Sequence, residues 1–202
     1  MDLDSAIDNL HEIRHQLSRS ATFTGYRPLF LGSVALIASI LAAFQILIGG
    51  RESVADASIE WMGLAVLIVI LTVALVFVPS LRSRYAVVRS VARGVARQFA
   101  PFVVIGVATT LVAYQAAPLL VPYLPASWCA FFGLSIFAMH PYLPRHVSTS
   151  GAWYLAASMA LGLWPPASVT ALAIGMGLAF AVGHAMTGIV MSAALRAALN
   201  TP

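Results

Sequence analysis

After Glu60 this 202-residue sequence contains no carboxylate side chain, and nowhere does it contain a lysine. Charged residues of either sign make up 9% of it, against about a quarter in an ordinary soluble domain. So little charge cannot clothe a surface exposed to water, which argues against a soluble globular protein. Cys129 is the sole cysteine, so an internal disulfide is impossible and no redox compartment follows. The missing acids narrow function as well. Proton- and sodium-coupled carriers place Asp or Glu at mid-membrane, and the apolar segments from Trp61 onward offer none. Gln45, Thr109, Thr110 and Gln115 supply polarity without charge, which leaves a carbonyl- or hydroxyl-lined pore open as a reading. No P-loop, glycine fingerprint or nucleophile–base pair occurs.

What fills the chain instead is hydrophobic, at 60% of residues. Six apolar segments stand out: about Pro28 to Ile48, Trp61 to Val78 stopped by Pro79, Pro101 to Leu120, Ala126 to Tyr142, Val147 to Trp164, and a run from Ser168 toward Leu199. About 20 residues cross a bilayer's hydrocarbon, so segments four and five are short. The expected fold is all-α: a polytopic membrane bundle of six transmembrane helices at 28–199, preceded by an amphipathic helix and turn at 1–27. In that helix Leu3, Ile7, Leu10, Ile13 and Leu17 share one face; Thr22 to Arg27 break it, and Pro28 suits the next first turn. A cleavable signal peptide is not expected, because the start is acidic and has no basic n-region.

Charge is segregated. Seven acids against four arginines leave the chain at −3 up to Glu60, and seven arginines alone make the remainder +7. With the N-terminus inside and six crossings, Arg14, Arg19, Arg27, Arg82, Arg84, Arg89, Arg93, Arg97, Arg145 and Arg196 fall on the cytoplasmic side and Arg51 alone outside, the positive-inside pattern of an inner-membrane protein with both termini cytoplasmic. A re-entrant hairpin made of segments four and five is the alternative. It would hold Arg145 in the bilayer at a cost of about 2.5–3.5 kcal/mol, so two full crossings are the cheaper arrangement.

Four features invite chemistry. His11-Glu12-Ile13-Arg14-His15 matches HExxH, the zinc-protease pattern, but a short terminal helix forms no substrate cleft. Asp4, Asp8, His11 and His15 do share a face that suits a divalent metal, or merely a solvated one. The connection at 80–100 is basic and amphipathic: Arg82, Arg89, Arg93 and Arg97 oppose Val87, Val88, Val91, Val95 and Phe99. Such a helix lies on a membrane with arginines on anionic lipid phosphates, or meets the acidic N-terminal helix. No aromatic interleaving accompanies it, so nucleic acid is not an expected partner. His140 and His184 sit at similar depths on separate segments, about 21 and 24 Å along at 1.5 Å per residue, where two imidazoles suit haem or a quinone pocket. A hydrogen-bonded structural histidine is the simpler reading of each. Finally, Ala173, Gly177, Ala181, Ala185 and Ala171, Gly175, Ala179, Gly183 form two small-residue faces on the last helix, for packing within the bundle or against a second copy or membrane partner.

The stretch LHEIRHQLSRSATFTGYRPLFLGSVALIASILAAFQ (Leu10 to Gln45) resembles the start of a group of uncharacterised bacterial six-span membrane proteins. Ile13-Arg14, Phe23-Thr24 and Gly32 carry the likeness, which covers under a fifth of the chain; the group's Pro-Gly turn is replaced by Gly25-Tyr26-Arg27-Pro28. The resemblance implies an inner-membrane sensing or accessory role beside winged-helix regulators, and no catalytic residues. The leading expectation is therefore a non-enzymatic membrane protein acting through helix association, with a small channel or carrier for a neutral or anionic solute, and a haem- or quinone-binding subunit, as alternatives.

Overall fold

The computed structural model describes residues 28–48 and 53–199. The expected N-terminal helix lies outside the described residues, as do Asp4, Asp8, His11 and His15. Within them the regular elements are helical: α1 (Pro28–Ile48), α2 (Val54–Leu81), α3 (Ala86–Gln115), α4 (Leu124–Met139), α5 (Ser148–Leu163) and α6 (Val169–Leu199). Short 3₁₀ turns at Pro118–Tyr123, His140–Tyr142 and Arg145–Val147 frame α4 and α5. Among the described residues five stretches are long and apolar enough to cross a membrane, α4 with its flanking turns being one of them. The 16 residues of α5 span about 24 Å, short of a full hydrocarbon layer.

Burial follows narrow stripes. In α1 the buried residues are Leu31, Val34, Ala38, Ala42 and Gln45, spaced by three or four, while Leu29, Leu36, Ile40 and Leu47 are exposed. An apolar helix that shows most of its apolar surface is stable in lipid, where that surface costs nothing. Consecutive helices run antiparallel, as their contacts record. Gln45 reaches Ala57 and Trp61 across the α1–α2 hairpin, Tyr114 donates to the Ala55 carbonyl between α3 and α2, and Gly106 lies against Trp128 between α3 and α4. Gly133 meets Leu155 and Gly162 meets Ala126 between α4 and α5, Gly175 and Gly183 meet Leu161 and Tyr154 of α5, and α6 returns along α1 with Gly177 against Ala42 and Gly188 against Leu31.

This alternation brings Arg82 and Arg84 of the α2–α3 link, the first half of α3, Arg145 of the α4–α5 link and Arg196 of α6 to one end of the bundle, the arginine end.

Three boundaries differ from the sequence expectation. First, α2 starts at Val54 and not Trp61, because Ser53 caps it: its hydroxyl accepts from the Asp56 N–H at 3.1 Å and donates to the Asp56 carboxylate. Asp56 and Glu60 are thereby inside a helix that looked free of acids. Glu60 is half-buried and accepts from the Gln45 amide at 2.8 Å. Second, Pro79 does not stop α2. A π-turn at Val73–Phe77, with the Val78 N–H bonded to the Val73 carbonyl, precedes it. The wider turn contains Leu75, whose carbonyl a regular helix would drive into the proline ring. Third, the basic surface helix and the third span are one 30-residue helix, α3, with Pro101 inside it. Val91 and Val95 are buried in the bundle core and Phe99 packs against it, so this part of the valine stripe faces protein; Val87 and Val88 remain exposed.

Candidate functional site

Between the helices, toward the arginine end, lies a cavity of about 70 Å³. Every helix contributes to its wall: Phe30 and Leu31 from α1, Thr72 from α2, Phe99 from α3, Ser135 from α4, Tyr154 from α5, His184 and Thr187 from α6. The wall is mostly aliphatic and aromatic, with its polar groups few and convergent, the usual character of a small-molecule site.

His184 is held there by two contacts through one nitrogen. Its Nδ1 stands 3.0 Å from the Phe180 carbonyl, one turn back on α6, and 2.7 Å from the Tyr154 hydroxyl. A carbonyl only accepts, whereas a tyrosine hydroxyl both donates and accepts. The arrangement free of lone-pair conflict has the proton on Nδ1, shared between the carbonyl and the tyrosine oxygen. Nε2 is then a bare acceptor. Among the described residues it has no hydrogen-bond partner, and His184 is one of the residues that line the cavity. Tyr154 is fully buried against Gly183, where a Cβ would stand 2.6 Å from its hydroxyl oxygen; glycine is required at that close approach. Phe132 and Phe180 complete the cage, with centroids 5.2 Å apart edge to face, and Phe180 stacks on the imidazole at 5.8 Å.

Two hydroxyls on the wall are committed as donors, whereas that of Thr72 has no hydrogen-bond partner among the described residues. Thr187 donates to the Gly183 carbonyl at 2.8 Å and Ser135 to the Phe132 carbonyl at 2.8 Å, leaving oxygen lone pairs as what they can offer a guest. Among the described residues the wall carries no formal charge, and it offers the acceptor oxygens of Ser135 and Thr187 beside the uncommitted hydroxyl protons of Tyr154 and Thr72.

The remaining sequence candidates fall elsewhere. His140 caps α4 and is exposed at the arginine end, outside the cavity wall. The structure does not bring it together with His184 around one space, and the cavity is about half the roughly 150 Å³ that admits benzene in a packed core, far below a porphyrin. Equal depth along two helices did not mean equal direction. Arg82, Arg93 and Arg97 are exposed, and Arg89, half-buried, donates to the Ser83 carbonyl at 2.6 Å, closing the α2–α3 link. On α6, Gly175, Gly177 and Gly183 are each met from within the chain, and Ala173 is buried; Ala181 is half-buried. Both small-residue faces are thus largely used against α1 and α5.

Sequence reasoning did not single out Tyr154, Ser135, Thr72 or Thr187. One signal was present: a tyrosine in the middle of an apolar segment needs a partner for its hydroxyl, and His184 was the polar group deep in a neighbouring run. A second buried network, at the end opposite the arginines, joins Trp61 Nε1 to Gln45 Oε1 at 2.8 Å and Gln45 Nε2 to the Ala57 carbonyl at 3.0 Å.

No family model, curated protein or solved structure matches the chain.

Proposed function

We propose that this chain is a non-enzymatic, multi-pass protein of the bacterial inner membrane, a sensor or accessory subunit that takes up a small, mostly apolar molecule in the His184 cavity. The observation that carries the reading is the shared wall. All six helices touch one space, so a guest that fills it changes the packing of the whole bundle and its occupancy can be read by a partner. In this reading α5 crosses with the others to give six spans, both termini are cytoplasmic, and the arginine end faces the cytoplasm. Arg82, Arg93 and Arg97 then sit at the level of anionic lipid phosphates. Trp164 and Tyr123, exposed at the opposite end, supply the aromatic anchors of the other interface. A second copy or a membrane partner would meet the exposed row Ile174, Leu178, Ala185 and Ile189 on α6, since the glycines are occupied.

The test is thermal unfolding in mild detergent across a panel of small apolar compounds, on the native chain and on Ser135→Leu, which fills the cavity. Stabilisation of the native chain that the variant lacks is the expected result. Identical midpoints for both chains across the panel would sink the reading. Cysteine labelling from outside intact cells checks the orientation: a Cys at Ser53 should react and one at Arg93 should not.

A further inference from the structure

α2 and α3 do not pack along their length. They meet near one end, where Tyr114 reaches Ala55 and Thr110 lies 3.8 Å from the Met62 sulfur, and at the other through the last turn of α2. Between these points a narrow cleft separates them, lined by Val69 of α2, Phe99, Phe102 and Val103 of α3, and Trp128 and Phe131 of α4. The cleft shares Val69, Phe99, Phe132 and Ser135 with the His184 cavity, so the two spaces adjoin across a common wall. Its flanks, Val66, Ile70 and Val73 on α2 and Val104 and Val107 on α3, are exposed apolar residues. A path opened through that wall would lead sideways, toward where lipid chains lie.

Resting on the function proposed above, we infer that the guest is a single uncharged aliphatic chain ending in a hydroxyl, drawn from the bilayer, with its O–H donated to His184 Nε2 and its tail parting α2 from α3 along the cleft, whose free space of about 10 Å³ must widen to admit it. Three observations select this chemistry. The nitrogen of the cavity-lining imidazole that stays free is Nε2, an acceptor, because Nδ1 is committed to the Phe180 carbonyl and the Tyr154 hydroxyl. The cavity holds about 70 Å³, which suits a slim head group and excludes a large ring system. Among the described residues no cation lines cavity or cleft, so a carboxylate or phosphate would be desolvated there without a partner.

The experiment uses the full chain in nanodiscs with 15N-labelled histidine, probed with 1-decanol, methyl nonyl ether, decane and decanoic acid. Before any addition, His184 should show the Nδ1–H tautomer. Decanol should shift the Nε2 resonance, and the ether, of equal shape without the donor, should bind roughly tenfold more weakly, the worth of one hydrogen bond. Val103→Trp, which plugs the cleft without touching His184, should abolish the decanol shift; His184→Phe should equalise alcohol and ether. A proton on Nε2 in the free protein, equal binding of alcohol and ether, or tighter binding of decanoic acid overturns the hydroxyl assignment while leaving a ligand cavity in place. A decanol shift that survives Val103→Trp overturns the lateral path. Should none of the four probes bind, the function itself fails, and this inference with it.

Discussion

On one side of the molecule α6 presses against its neighbours through glycines; on the other, α2 and α3 face each other with valine and phenylalanine and stay apart. Gly177 admits the Ala42 methyl and Gly183 the Tyr154 ring at distances where a Cβ would be 2.7 and 2.6 Å from the nearest carbon of Ala42 and the Tyr154 hydroxyl oxygen. Across the α2–α3 cleft, Val69, Phe99, Phe102 and Val103 leave a gap. In lipid no hydrophobic force draws helices together, so association depends on how closely backbones fit. Small residues make the α1–α6–α5 side a fixed frame. Bulky ones leave the α2–α3 side less closely packed.

The comparison breaks if the two sides tolerate substitution equally. The largest effect is expected for Gly183→Ala, whose methyl would enter the Tyr154 ring and dislodge its bond to His184. Overpacking of about 1–3 kcal/mol should be compounded by the broken buried hydrogen bond, and a lowered unfolding midpoint in detergent checks it. Gly177→Ala comes next, at about 1–3 kcal/mol, because the Ala42 Cβ is fixed to its backbone and α1 must move away. Trp61→Phe leaves Gln45 Oε1 buried with one partner fewer and should cost about 1–2 kcal/mol; if chemical denaturation shows no change, the polar network at that end is not structural. The smallest effect belongs to Gly32→Ala and Gly63→Ala. Nothing lies within 4 Å of either new methyl, so stability should stay within about 0.5 kcal/mol or rise.

Much of the helical bundle was legible in the sequence, since long apolar runs mark helices that can cross a membrane. The ends of helices were not. The start of α2 is hidden by Asp56 and Glu60, which lower local hydropathy, and what makes Glu60 tolerable there is Gln45 on another helix. The continuity of α3 is hidden by Pro101, which reads as a first-turn residue until tertiary packing of Val91 and Val95 is known. The site was half visible. His184 stood out as a titratable group in an apolar run, but depth along a helix says nothing about azimuth, so His140 was matched with it while Tyr154 went unremarked. Thr187 and Ser135 bond to carbonyls one turn back on their own helices, which leaves no trace in a hydropathy pattern.

The π-turn at Val73–Phe77 has a consequence for the numbering of side chains around α2. It adds one residue to a turn, so every position from Val78 onward is rotated by roughly a quarter of a circle from where a regular helix of 3.6 residues per turn would put it. Thr72 faces the cavity on one side of that step and Arg82 lies beyond it. Removal of a single residue within the turn would swing Ser80 and Arg82 to a different bearing while Thr72 kept its own, uncoupling where the α2–α3 link points from how the cavity wall is built.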